Sequence, residues 1–488
     1  IESAMHTPTR RELVERLLGV KDIRSQATLT ATPPASDAAF DQQLAARATF
    51  GSNLDTAGEI QQLGAEQWLE QQLHPESIND DDCEQVVANT ISRIASGAAD
   101  LRMLVRAMLS KRQLAWRMTY FINNHFATYQ KRTVQISEVI EDERFRQGCF
   151  GKFRDLLITS ASSPAMIDFL DSQSNVAGNP NENYARELLE LHTVSIDGGY
   201  TETDVAELAR VFTGWRRVRV GQNTATHSYF EFNPTLHDTG PKSLSLGWST
   251  PGLTGPDGRQ EGYSALSFLA QNTRTAAFIT KKLCRYFICD EPPVDLVSSV
   301  RSTFISTNGD LRETLRTLFL HPDFVQRQYT SNKTTDGFEY IVGVMRRFKN
   351  PATNYHSIRD RIADLQSLPH NNHLPTGYAE VGSAWLGPGH TLPRWRFADD
   401  FAHDRIPGTT VPWSSAFQSP PSTGPAWVHA LSNWMLDEPL PETTQWALGV
   451  YMDSLMAQLP GHPTWAQVRP AAQDLLALML QLPEAQMH

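Results

Sequence analysis

Along most of the 488-residue chain, apolar residues recur at the 3.6-residue period of the α-helix. Leu101, Leu104, Val105, Met108 and Leu109 keep that spacing, and Leu114, Met118, Phe121 and Ile122 resume it. Residues 57–73 place Ile60, Leu63, Trp68, Leu69 and Leu73 on two short helices broken near Gly64. Residues 137–170 continue the pattern with a break at Ser163-Pro164, and further helices are predicted over 274–288, 310–320 and 335–348. Three more fill 426–486, divided at Pro439–Pro441 and Pro460–Pro463. Ser228 to Phe232 is the only strand-like run, too little for a Rossmann or barrel sheet. The fold expected is mainly α: one large multi-helix domain with little strand and long irregular loop excursions.

The boundaries follow from composition. Residues 8–19 read as a short helix and Ala27 to Ala39 as a linker of small residues and proline. Residues 1–40 are thus an N-terminal arm, and 41–488 the helical domain. Within it, 216–265 and 350–425 lose helical period and read as loop-rich excursions, and 426–488 as C-terminal helices. Net charge is −11, from 54 acidic and 43 basic residues, which argues against a nucleic-acid partner. No run of about 18 apolar residues offers a transmembrane segment. Phosphate-cradling glycine loops and the G-x-S-x-G elbow are missing, so a nucleotide cofactor and an α/β-hydrolase site are not expected. Cys284 and Cys289, five apart on a helix, are poorly placed for a disulfide, whereas Cys83 and Cys149 leave that question open. The chain begins at Ile1 without a signal-peptide pattern, as a processed or trimmed chain would.

Two helices are predicted over 181–195 and 201–215. On the first, Ala185, Leu188, Leu189 and His192 form an apolar stripe beside a polar one of Asn183, Arg186, Glu187 and Glu190. Asp197-Gly198-Gly199 ends it, and Thr201 with Asp204 approximates a capping box for the second. This stretch, NENYARELLELHTVSIDGGYTETDVAELARVFTGW from Asn181 to Trp215, resembles the signature of the bacterial family catalogued as domain of unknown function 1800. The F-x-x-N-H-F run (Phe121 to Phe126), SSPAMIDFLDSQSN (162–175), LHDTGPKSLSLG (236–247) and LHPDF (320–324) resemble the same family in the same order. Ser195 stands where that family more often has glycine. The resemblance implies a mostly helical fold and an exported bacterial protein, periplasmic or secreted, whose signal peptide has been removed.

Groups suited to catalysis gather in and around this helix pair. Glu187 and Glu190 project from adjacent turns of one face, and Arg186 can pair with Glu190 as an ordinary surface ion pair would. Two carboxylates can divide acid and base roles, with Asp238 as the partner carboxylate. His192 lies on the apolar stripe, where a core histidine is the usual occupant, while His237-Asp238 falls in a loop that a plain turn would also explain. Collected in space, His125, Glu187, His192, His237 and Asp238 would form a His/carboxylate set able to hold a divalent metal. Asn183, Arg186, His125, Trp215 and Lys242 are read as substrate-binding, and Trp215, Trp248 and Tyr229 as faces for sugar rings. Thr193 to Asp204 overlays a calcium loop only weakly, since Thr and Ser replace its first acidic ligands; a glycine-capped helical turn is the better reading.

These features lead to an expected exported hydrolase of a polysaccharide or other extracellular polymer. It would act by carboxylate acid–base chemistry through Glu187, Glu190, Asp238, His192 and His237, with or without metal assistance. The alternatives are a non-catalytic exported structural or binding protein, and a metal-dependent oxidase.

Overall fold

A computed structural model describes residues 37–487, apart from 92–97, 131–134, 221–226, 327–332, 350–351, 414–416, 418, 437–439 and 462. The helix read over 8–19 and most of the N-terminal arm therefore lie outside the described residues. Among the described residues there are 21 α-helices and only two small two-stranded sheets, so the protein is mainly α.

The first nine helices are α1 (Asp37–Ala48), α2 (Leu54–Leu63), α3 (Ala65–Leu73), α4 (Asp81–Thr90), α5 (Ala98–Leu109), α6 (Gln113–His125), α7 (Gln135–Gly148), α8 (Phe153–Ala161) and α9 (Pro164–Phe169). The break at Gly64 is present: its φ of 85° suits glycine, and its N–H closes α2 on the Ile60 carbonyl. Ser163 caps α9, with Pro164 at the first helical position. Next come α10 (Asn183–Glu187) and α11 (Glu202–Val211).

The stretch read as an irregular excursion is more ordered than its composition implies. Strand β1 (Trp215–Val220) pairs antiparallel with β2 (His227–Phe232), Trp215 opposite Phe232. A second ribbon joins β3 (Lys242–Leu244) to β4 (Trp248–Thr250), and α12 (Arg259–Gln271) begins before the 216–265 stretch ends. The chain continues through α13 (Thr273–Phe287), α14 (Val294–Ser306), α15 (Leu311–Phe319) and α16 (Gly337–Arg347). The excursion read over 350–425 likewise contains α17 (Tyr355–Asp364) and α18 (Pro388–Ala402). The tail is the expected trio: α19 (Gly424–Met435), α20 (Glu442–Met456) and α21 (Trp465–Gln481).

Helices α6 and α16 form the centre. Every residue of α16 is buried, as befits a helix packed on all sides. Asp336 and Glu339 close its N-terminus as a capping box, leaving carboxylate oxygens that must find partners inside the core. Helix α6 supplies them: the Arg117 guanidinium donates to Glu339, and the Tyr120 hydroxyl to Asp336 at 2.6 Å. Arg117 also lies 4.5 Å from the centre of the Tyr286 ring, a cation–π contact. Gly51 sits at φ 121° against Gly343, where a side chain would approach the α16 backbone to 2.8 Å. All four cysteines are free and buried, which settles the Cys83–Cys149 question.

Candidate functional site

Helix α10 does not end as the glycine pair implies. From Leu188 to His192 the backbone widens into a π-turn, a distortion common at functional sites. The hydroxyl of Thr193 captures the Leu188 carbonyl at 2.6 Å, and Ser195 takes the left-handed conformation at φ 71°. That conformation suits glycine better than serine. Thr201 and Asp204 form the expected capping box of α11. Asp204 also accepts from the backbone and hydroxyl of Ser245, so its oxygens are occupied by the fold, and the stretch is a capped helical turn.

The two glutamates differ in setting. Glu190 lies 3.7 Å from Arg186 and accepts the Tyr200 hydroxyl. Arg186 also reaches Glu202 at 2.7 Å and Glu182 at 3.2 Å, knitting α10 to α11. Glu187 is half-buried and its carboxyl makes no hydrogen bond within the described residues. Burial, with the neighbouring Glu190 charge, raises its pKa above the usual carboxylate range against the opposing pull of Arg186. Asn183, one turn earlier, is exposed.

His125 and His192 do meet, as buried core histidines. His125 Nε2 donates to the His192 carbonyl at 3.2 Å, and the rings stand 6.0 Å apart among Phe126, Phe153 and Phe278. Both nitrogens of His192 are without partners. Burial and the charge of Lys282 hold His192 down at about pKa 3, and His125 is also far below the ordinary histidine value. They are neutral imidazoles of the core, closed to a polymer substrate.

The remaining expected residues are held apart from this pair by their own partners. Asp238 is engaged by a two-pronged contact from Arg210, at 2.9 and 3.0 Å, and its pKa is lowered by that pairing. It is a loop clamp, not the partner carboxylate. His237 is buried, with Nδ1 donating to the Thr213 carbonyl at 2.9 Å and Nε2 facing Glu261 at 3.2 Å. Lys242 is fully buried and donates to Glu261 at 2.7 Å and to the carbonyls of Asp238 and Gly240, which rules out its contact with substrate. Trp215 is a core ring packed 4.8 Å from Phe230 and 5.1 Å from Phe212, so no sugar stacks on it. Trp248 is buried and donates to Ser264, whereas Tyr229 is 49% exposed and keeps its face free. Among the described residues no group of three His, Cys, Asp or Glu side chains is placed to hold a metal ion. The mixed set expected for that role is divided, His125 with His192 in the core and Asp238 with Arg210.

The end of α6 anchors a second constellation that sequence reading missed. Asn123 donates to Asp142 at 2.8 Å. Asn124 both accepts from the backbone N–H of Tyr378, at 2.6 Å, and donates to its carbonyl at 3.0 Å. Glu138, Glu141 and Asp142 of α7 share a buried space with His370, which lies 3.5 Å from Glu138 and 3.7 Å from Asp142. Thr128 bridges the two glutamates. Burial pushes Glu141 well up and pulls His370 down, but the carboxylates outweigh burial at His370 and raise it to about 9. The sequence signal was an i, i+3, i+4 carboxylate stripe on α7. Asn124→Ala is expected to cost about 1–3 kcal/mol, since two backbone groups of Tyr378 lose their partner. Hydrogen exchange across 370–385 should accelerate; unchanged protection there would refute the tether.

No curated protein and no solved structure matches the chain. The profile of one family, described as Protein of unknown function (DUF1800), matches residues 43–487, nearly the whole of the helical domain and with it both constellations. The chain belongs to that family.

Proposed function

We propose that the protein is an exported bacterial hydrolase of a polysaccharide or other extracellular polymer, with Glu187 and Glu190 as its acid–base pair. The observation that carries this reading is the contrast between the two carboxyls. Glu187 lacks a hydrogen-bond partner and keeps its proton to higher pH than an ordinary glutamate, as a general acid must. Glu190, three residues on, is steadied by Arg186 and Tyr200 and would accept the proton of an attacking water. Asn183 and Tyr229 remain exposed as substrate contacts. The export in this reading comes from the family resemblance alone.

A scaffold reading is favoured by one observation, the Arg186 network that joins α10 to α11. Melting curves of Glu187→Gln separate the two. Because the folded pKa is raised, the native state holds this proton above the ordinary value of 4.5, and stability falls as pH rises through that window. Glutamine escapes the penalty. At pH 7 the variant is expected to be about 0.5–2 kcal/mol more stable than wild type, with the gap closing near pH 4. Its activity on a susceptible polymer should fall at least about 100-fold. A variant destabilised at pH 7 with activity intact would establish the scaffold.

A further inference from the structure

We infer that the cleft between α17 and α18 binds a neutral carbohydrate. It measures about 390 Å³, within the roughly 300–1,000 Å³ of small-molecule sites, and Gln366, Asn371, Asn372, His373, Trp385 and His390 face it. No lysine, arginine, aspartate or glutamate lines it, so it holds no permanent charge to balance a phosphate, a carboxylate or a cation. It offers hydrogen bonds in both directions instead. The side chains of Gln366, Asn371 and His373 have no partner among the described residues. His390 commits Nδ1 to the Leu365 carbonyl and keeps Nε2 free, while Asn372 accepts from Leu374 and keeps its amide hydrogens. The partly exposed His390 and Tyr378 rings add aromatic surface, backed by the buried Trp385 ring 5.0 Å from His390. An uncharged ligand rich in hydroxyls, with apolar ring faces, satisfies this lining.

The cleft is also preorganised. Gln366 and His370 both sit at φ 56°, a conformation that side chains adopt at a cost and that clusters at ligand clamps. His370 is fixed from below by Glu138 and Asp142, and its carbonyl accepts from the Gln130 N–H at 3.0 Å. The Tyr378 hydroxyl donates to the Leu368 carbonyl at 2.8 Å, and Asn124 ties the Tyr378 backbone to α6. Buried charge and these hydrogen bonds thus hold an exposed loop in one shape against its backbone strain before any ligand arrives, which lowers the ordering cost of binding.

Binding is read without turnover, so the test does not depend on hydrolysis at Glu187. The full chain is titrated by calorimetry and saturation-transfer NMR with cellotetraose, maltotetraose, laminaritetraose and chitotetraose, and with trigalacturonate and inorganic phosphate as charged probes. At least one neutral sugar should bind with Kd of about 1 mM or tighter. Asn371→Ala and His373→Ala, which break no hydrogen bond of the fold, should each weaken it tenfold or more with melting unchanged. Absence of binding across the neutral panel would overturn the inference. So would affinity unaffected by both variants, or equal binding of the charged probes.

Discussion

Lys242→Met is expected to destabilise the protein by about 3–5 kcal/mol, read as a lower urea midpoint at unchanged slope. The ammonium is fully buried with all three protons donated, to the Glu261 carboxylate and to the carbonyls of Asp238 and Gly240. Glu261 in turn accepts the Leu253 N–H at 2.5 Å and the Thr250 hydroxyl at 3.2 Å, and faces His237. This group ties β3, β4 and α12 into one unit. Removing the lysine leaves a carboxylate buried without its cation, and that uncompensated charge is the dominant cost. The double variant Lys242→Met/Glu261→Gln should recover a large part of the loss, because the orphaned charge is gone. A change within about 0.5 kcal/mol, as at an exposed substrate contact, would contradict the assignment.

The second large effect is acid sensitivity of the histidine pair under the π-turn. His192 titrates at about 3 in the folded protein and near 6.5 once unfolded, and His125 is displaced in the same direction. Between those values the unfolded chain binds more protons than the native one, so stability is lost as pH falls below about 6.5. His192 contributes roughly 1.4 kcal/mol per pH unit, about 2 kcal/mol by pH 5, and His125 adds to the loss in the same direction. His370 adds nothing in this window: its raised pKa gives stability that is complete below about 6.5 and is lost toward pH 9. Glu141 slopes the other way, so the quantity to measure is the difference between wild type and His192→Leu. Both ring nitrogens of His192 are unpartnered, and leucine forfeits no hydrogen bond. The variant should gain on wild type steadily from pH 6.5 to pH 5. Parallel stability curves would show that His192 is not held neutral in the core.

The helical frame was legible because its determinants are local. Gly64, Ser163-Pro164 and the prolines of the tail mark boundaries wherever they occur, and apolar spacing survives any tertiary arrangement. Strand β1 was hidden by Arg216, Arg217 and Arg219, since its partner β2 lies across a connection and supplies the aromatic residues that cover it. The π-turn was illegible for another reason: ARELLELH has sound α periodicity, and the widening depends on Thr193 capturing the Leu188 carbonyl. At the site, the closeness of Glu187 and Glu190 on one helix face followed from helix spacing. The fates of Asp238, Lys242 and Trp215 did not, because a charged or aromatic residue in a glycine-rich segment looks solvent-facing until its partner from another segment is known. Arg210, Glu261 and Phe230 are those partners. His370 was overlooked for the same reason, its carboxylate neighbours lying more than two hundred residues earlier on α7.

In the proposed reaction Glu187 supplies a proton to the leaving group while Glu190 serves as base. Its most direct test is the pH dependence of polymer hydrolysis by wild type and Glu187→Gln, followed as new reducing ends across a panel of neutral polysaccharides. Wild type should show a bell-shaped profile whose basic limb lies above the usual carboxylate range, and Glu187→Gln should lose that limb together with at least about 100-fold in rate. Hydrolysis of none of the polymers by wild type, or a profile and rate unchanged in Glu187→Gln, would contradict the account.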